Sequence, residues 1–233
     1  MKPFYEEDGI TIYNSDCREI LPALAASDFN WTDPPYNVGK DYGPWTDNLP
    51  DNEYLDFCRF WIGEFKRLNP ESIAVYVPRK YILDYWNMLG TDFKQIVLPW
   101  RPEGTFGKGK LINQFGSILT NALAKRLTKD VWYDCQMRGL GYFFRENHYG
   151  HPGYTSEDIT SRVIAAFTDP GDLIVDPFLG TGTTAFCAKK HGRKCIGIEL
   201  NERDCEVAAN RCRQTVMELE TEKPVIDQVK FEL

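Results

Sequence analysis

At 233 residues, with 42% hydrophobic and 26% charged side chains, the chain has the length to bury a substantial core in a single domain, 1–233, and a composition ordinary for a globular protein. No apolar run reaches the roughly 18–20 residues of a membrane span, and the opening MKPFYEEDG lacks the apolar stretch of a secretory signal. The net charge of −7 argues against a generic nucleic-acid binder, yet eight cations and four anions fall in 101–150, which makes that stretch +4 and the remainder −11.

In chain order, GITIYNSD reads as a strand ending at Asn14–Asp16, and DFNWTD as a short strand closing at Asp33. Apolar residues then recur at Tyr54, Leu55, Phe57, Cys58, Trp61, Ile62, Phe65 and Leu68, a helix with one buried face stopped by Asn69-Pro70. SIAVYVP reads as a buried strand, YILDYWNMLG as a short helix closed by Gly90, and KQIVLPW as another strand. From Arg101 to Gly150 the periodicity dissolves into glycine, lysine and aromatics, the pattern of an insertion; within it NALAKRLT reads as a helical turn or two and DVWYDC as a strand. TSEDITSRVIAAF reads as a helix opened by a capping box from Thr155 to Asp158. LIVD is a strand, TTAFCAKKHG a helix ending at Gly192, KCIGIE a strand, and NERDCEVAANRCRQTVMELE a long helix with Asn201 as N-cap.

Strands that alternate with helices imply a mostly parallel sheet covered on both faces, with ligands at the carboxyl ends of its strands. Asp16, Asp33, Asp176 and Glu199 all fall at such ends, more acid at one edge than solubility requires. Seven cysteines without a CxxC pair fit free thiols in a reducing cytoplasm. His148 and His151 have no accompanying Cys or acidic cluster, so no metal site is expected.

The run LIVDPFLGTGTTAFCAKKHGRKCIGIEL holds a strand, the loop Phe178-Leu179-Gly180-Thr181-Gly182, a helix and a strand ending in Glu199. Glycines after a strand let the backbone approach a ligand, and Glu199 falls about 20 residues on, where a carboxylate accepts from ribose hydroxyls. The dinucleotide fingerprint is not met, because Ala185 stands where its third glycine belongs, and no P-loop Lys follows. Asp176, just before the loop, would repel a pyrophosphate and suits an amino group instead. A ribose-bearing cofactor with no phosphates and a cationic amino-acid end is S-adenosylmethionine.

The stretch NWTDPPYNVGKDYG places Asp33 before Pro34, Pro35 and Tyr36. Proline has a fixed φ and no N–H, so this shelf is stiff, with the Asp33 carboxylate and Pro34 carbonyl side by side as acceptors. Two acceptors match the two hydrogens of an –NH₂ group, and Tyr36 offers a flat face for a planar ring. Tyr42 and Trp45 follow in a loop that can close over a base.

TDPPYN together with DPFLGTGTT resembles the DNA amino-methyltransferase family that modifies adenine N6 or cytosine N4, in the order of the permuted class whose catalytic motif comes first. The likeness covers nearly the whole chain, including YNSDCREIL, an HP pair at His151-Pro152 and GIELNERDCEVAANR. The resemblance implies a Rossmann-like α/β fold with a seven-stranded, mostly parallel sheet, and S-adenosylmethionine as cofactor. It implies that Asp16 and Cys17 hold the cofactor's adenine end, that Phe178, Gly180, Thr181, Gly182, Thr183 and Thr184 line its loop beside Asp176 and Asp33, and that Glu199 takes the ribose. Catalysis is implied for Asp33, Pro34, Pro35 and Tyr36. Residues 101–150 fall where the family has its target-recognition region; there Lys108, Lys110, Lys125, Arg126 and Arg138 are the candidate contacts to double-stranded DNA. The same resemblance carries homodimerisation and a place on the nucleoid in the cytoplasm of a bacterial, archaeal or phage-infected cell. One departure stands out: the family's Lys-Pro after His-Pro is absent, the chain reading HPGYTSED.

Aspartate at the head of the shelf favours adenine, with cytosine N4 as the alternative. An RNA base methyltransferase and a nucleic-acid-binding homologue that has lost turnover are the other readings.

Overall fold

The computed structural model describes residues 2–90, 92–99, 115–126, 128, 130–132 and 155–214. Its strands are β1 (Tyr5–Glu7), β2 (Ile10–Asn14), β3 (Phe29–Thr32), β4 (Ile73–Val77), β5 (Lys94–Pro99), β6 (Phe115–Thr120), β7 (Leu173–Asp176) and β8 (Lys194–Glu199). They form one eight-stranded sheet in the order β1-β2-β8-β7-β3-β4-β6-β5. From β2 through β8, β7 and β3 to β4 the neighbours run parallel; β1 at one margin and the β6–β5 pair at the other are antiparallel. Among the described residues the sheet therefore has one strand more than the seven expected. The extra one, β1, turns into β2 through Asp8-Gly9, both at positive φ (50° and 78°), the geometry of a tight hairpin.

The helices are α1 (Cys17–Ile20), α2 (Asp51–Leu68), α3 (Ile82–Leu89), α4 (Glu157–Phe167), α5 (Thr183–Lys190) and α6 (Glu202–Arg213). In α2 the buried residues are Tyr54, Cys58, Trp61, Ile62, Phe65 and Leu68, one face of a 3.6-residue period. Asp51 and Glu53 at its start and Lys66 and Arg67 at its end complement the helix dipole. β3 and β4 are buried along their whole length, as strands covered on both faces must be. In β4 the pleat sends Ala74 and Tyr76 into the core shared with α4, α5 and α6, and Ile73, Val75 and Val77 into the core shared with α2 and α3. Trp61 is fully buried at the joint of Phe65, Tyr85 and the glycine-loop residue Phe178, with ring centroids 5.5–5.9 Å away. Its truncation to Ala should cost about 3–5 kcal/mol.

The stretch 101–150, expected to be an insertion, is partly core. Residues 115–120 form β6, hydrogen-bonded between β4 and β5, so an insertion spanning 101–150 is too wide. The helix expected in NALAKRLT is not found in its described part: 121–126 is irregular chain, held to the sheet by the Asn121 side chain, which accepts from Ile73 N at 2.9 Å and donates to Pro70 O at 2.6 Å. Of DVWYDC, only 130–132 are described; Val131 makes a single bridge to Val97 and Trp132 is buried, without a strand. No described helix is long and apolar enough to cross a membrane.

Candidate active site

The carboxyl ends of β2, β3, β7 and β8 open on one cavity of about 240 Å³, and Asp16, Asp33, Asp176 and Glu199 all line it. Each acid follows or ends a strand of the parallel run, so parallel pairing alone delivers the four to a common edge.

Asp33, immediately after β3, accepts from two hydroxyls: Tyr36 on Oδ1 and Thr155 on Oδ2. Burial and the neighbouring Asp33 push the Tyr36 hydroxyl well above its usual range, so it stays a donor. The Tyr36 ring lies nearly parallel to Tyr76, centroids 6.4 Å apart. Behind the shelf, Tyr54 donates to the Pro35 carbonyl at 2.9 Å, while the Pro34 carbonyl accepts no hydrogen bond among the described residues. The chain after the shelf is clasped by Asp47, only 3% exposed, whose carboxylate accepts from the N–H groups of Asn37 (2.7 Å), Val38 (3.1 Å) and Lys40 (3.0 Å). That clasp presents Lys40, Tyr42 and Trp45 to the cavity. Lys40 Nζ lies 6.0 Å from the centre of the Tyr36 ring, and Trp45 leans on Phe57 at 4.7 Å.

The glycine loop folds back onto β8. Glu199 accepts from Gly180 N and Asn201 N, both at 2.8 Å, one on each oxygen, which leaves each oxygen a second lone pair. Gly182 does not line the cavity; it has φ +86°, and a Cβ there would meet Ala208 of α6 at 2.6 Å, so its glycine serves close helix packing. Phe178, Gly180, Thr181, Thr183 and Thr184 do line it. Asp176 is 2% exposed and accepts from Thr32 Oγ1 (2.7 Å), Thr184 Oγ1 (2.5 Å) and Phe178 N (3.0 Å). These bonds make it a scaffold for the loop as well as a wall of the cavity.

Burial pushes the Asp176 carboxyl up to about 6 and the Glu199 carboxyl up to about 7. Asp16 differs. Burial opposes its charge, but the Arg18 guanidinium, bonded to both its oxygens at 2.6–3.0 Å, holds it below the ordinary carboxylate range. Cys17, beside it, is a buried thiol pushed up to about 12 by burial, hence no nucleophile. A cavity whose buried carboxylates resist ionisation suits a ligand that brings positive charge, and the Glu199 lone pairs suit one that brings hydroxyls. The residues present fit S-adenosylmethionine.

Among the cations assigned to DNA, the structure does not bring Lys125 and Arg126 to the cavity. β6 runs antiparallel to β4, so the chain after it emerges at the opposite edge of the sheet. There Arg126 donates to the carbonyls of Ala165 (2.5 Å) and Thr168 (3.2 Å) at the end of α4, and Lys125 lies 3.5 Å from Asp169. Lys108, Lys110 and Arg138 lie outside the described residues. Sequence reasoning missed Thr155, Lys40 and Tyr76, which all line the cavity. The sequence offers Thr155 as the cap of α4, but Ser156 caps it, accepting from Ile159 N at 3.2 Å.

Residues 119–210 match the family described as DNA methylase, a stretch from the end of β6 through the glycine loop and Glu199. The chain is 43% identical over 250 residues to the type II methyltransferase M2.DpnII of Streptococcus pneumoniae, covering 90% of this chain and 92% of that one. It is 31% identical over 207 residues to the type II methyltransferase M.HpaI of Haemophilus parainfluenzae, covering 77% of this chain and 66% of the relative's length. Among solved structures, the M1.HpyAVI–SAM complex has the same fold, with a TM-score of 0.64 at 19% identity over 88% of this chain and 99% of that one.

Proposed function

Because the chain belongs to the DNA methylase family of N6-adenine and N4-cytosine amino-methyltransferases, we propose that it methylates the exocyclic amine of a base in double-stranded DNA, adenine N6, with S-adenosylmethionine as methyl donor. The observation that carries the reading is that Asp33, Gly180 and Glu199 line one cavity. The reactive shelf and the cofactor loop thus face the same space.

The cofactor supplies an electrophilic methyl group on a sulfonium. Asp16 and Cys17 take its adenine end, Glu199 its ribose hydroxyls, and the Phe178–Thr184 loop its body. An aromatic amine is a poor nucleophile because its lone pair is delocalised into the ring. Asp33 and the Pro34 carbonyl accept its two hydrogens and favour a pyramidal nitrogen. The Asp33 charge offsets the positive charge that grows on that nitrogen, which then sheds one of its two hydrogens as a proton to solvent, so the chain contributes mainly positioning and electrostatics. A paired base cannot reach this cavity, so it must leave the helix stack. The Tyr36 ring is the surface on which it stacks.

Aspartate at the head of the shelf supports adenine; cytosine N4 is the second reading. The shelf's place before the glycine loop supports the permuted class. Nucleoside mass spectrometry of DNA from cells that express the chain tests the reading. N6-methyladenine is the expected product. N4-methylcytosine would move the assignment to the second base, and methylation confined to RNA would overturn it.

A further inference from the structure

We infer that Thr155 is a positioning residue for Asp33, and that its hydroxyl, together with that of Tyr36, sets the plane of the carboxylate that grips the target amine. The inference rests on the assignment of Asp33 above.

A carboxylate on a short side chain can rotate about its terminal bond, and a rotated carboxylate presents its lone pairs to the wrong place. Here each oxygen has its own donor: Tyr36, three residues along the shelf, on Oδ1, and Thr155, just before α4, on Oδ2. Two donors on two oxygens fix the rotation of the carboxylate. The placement of Thr155 is itself over-determined. Ser156 caps α4, so the cap does not need the Thr155 hydroxyl. Glu157, the first residue of α4, accepts from the buried Arg211 at 2.8 Å, and Arg211 also donates to the Thr181 carbonyl in the glycine loop at 2.7 Å. The segment that carries Thr155 and the loop that faces the cofactor therefore share one anchor.

The test compares T155V, which keeps the shape and removes the hydroxyl, with T155S, which keeps the hydroxyl, in single-turnover methylation, in cofactor calorimetry and in thermal unfolding. T155V should lower the methylation rate on the order of tenfold, with cofactor Kd within about twofold of wild type, and T155S should restore most of the rate. Unfolding supplies a readout that needs no turnover: the Tm shifts of D33N and T155V should be non-additive in the double variant. A wild-type rate in T155V overturns the inference, as do a T155S variant as impaired as T155V, a parallel loss of cofactor affinity, or additive Tm shifts. D33A separates the two levels. If D33A is inactive while T155V is unimpaired, only the role of Thr155 fails; if D33A methylates normally, the assignment of Asp33 fails.

Discussion

The guanidinium of Arg211, 4% exposed, donates to the backbone carbonyl of Thr181 at 2.7 Å and so holds the glycine loop from behind. The same group packs 5.3 Å from the centre of the Phe186 ring. Arg211→Met would keep much of the packing but leave the Thr181 carbonyl without this donor. The expected loss is about 1–3 kcal/mol of stability, accompanied by weaker cofactor binding because the loop loses its support. Denaturant unfolding and cofactor calorimetry of the variant check both effects. Wild-type cofactor affinity would show that the loop holds its shape without the strut.

The buried acids give the site a pH dependence whose sign can be worked out. Glu199 is raised from 4.5 to about 7 and Asp176 from 3.8 to about 6, so the native chain binds more protons than the unfolded chain in those windows. Their contribution to stability is present below the lower values and is lost as pH rises through about 6 to 7. Cofactor binding runs the other way. A positively charged ligand prefers both groups ionised, so affinity should rise from pH 6 to pH 8 and binding near pH 6.5 should release protons. Calorimetry in two buffers of different ionisation enthalpy measures that release; a pH-independent affinity would contradict it.

Gly182 and Gly39 separate crowding from backbone strain. Both have positive φ, +86° and +79°, but a Cβ at Gly182 would meet Ala208 at 2.6 Å while one at Gly39 would meet nothing within 4 Å. Gly39→Ala should cost about 1–2 kcal/mol from φ alone. Gly182→Ala should add an overpacking term of about 1–3 kcal/mol. Urea midpoints of the two variants, compared at equal m-value, test the difference.

Much of the site could be read from residue order, because a parallel sheet turns position into place. An acid that follows a buried strand run arrives at the carboxyl edge, and so Asp33, Asp176 and Glu199 could be brought together without coordinates. The helical period of α2 was equally plain. β6 was hidden because Gly116, Ser117 and Thr120 dilute its apolar pattern, although all three are buried. β1 was hidden because three residues show no period, although Asp8-Gly9 is a hairpin signal. Thr155 and Ser156 can both cap a helix, and only the geometry selects Ser156 and releases Thr155 to Asp33. A charge count has no direction, and so it could not tell that Lys125 and Arg126 lie away from the cavity. Those cations neutralise Asp169 and bond carbonyls at the end of α4, at the far edge of the sheet.

Lys108 and Lys110, each beside a glycine, remain the proposed phosphate contacts. Replacing both by Ala should reduce the slope of log K against log salt by roughly 2, since each phosphate contact contributes about 0.9. Binding to a duplex containing the target site, measured between 50 and 200 mM salt (about a fourfold range), gives that slope. An unchanged slope would move the DNA-facing surface to other residues.

In the proposed reaction Asp33 grips the target amine in front of the methyl donor without being needed to hold the donor. Single-turnover methyl transfer by Asp33→Ala, measured alongside its cofactor Kd, tests this most directly. A rate at least about a hundredfold below wild type is expected, with cofactor affinity largely retained. Transfer at the wild-type rate would contradict it.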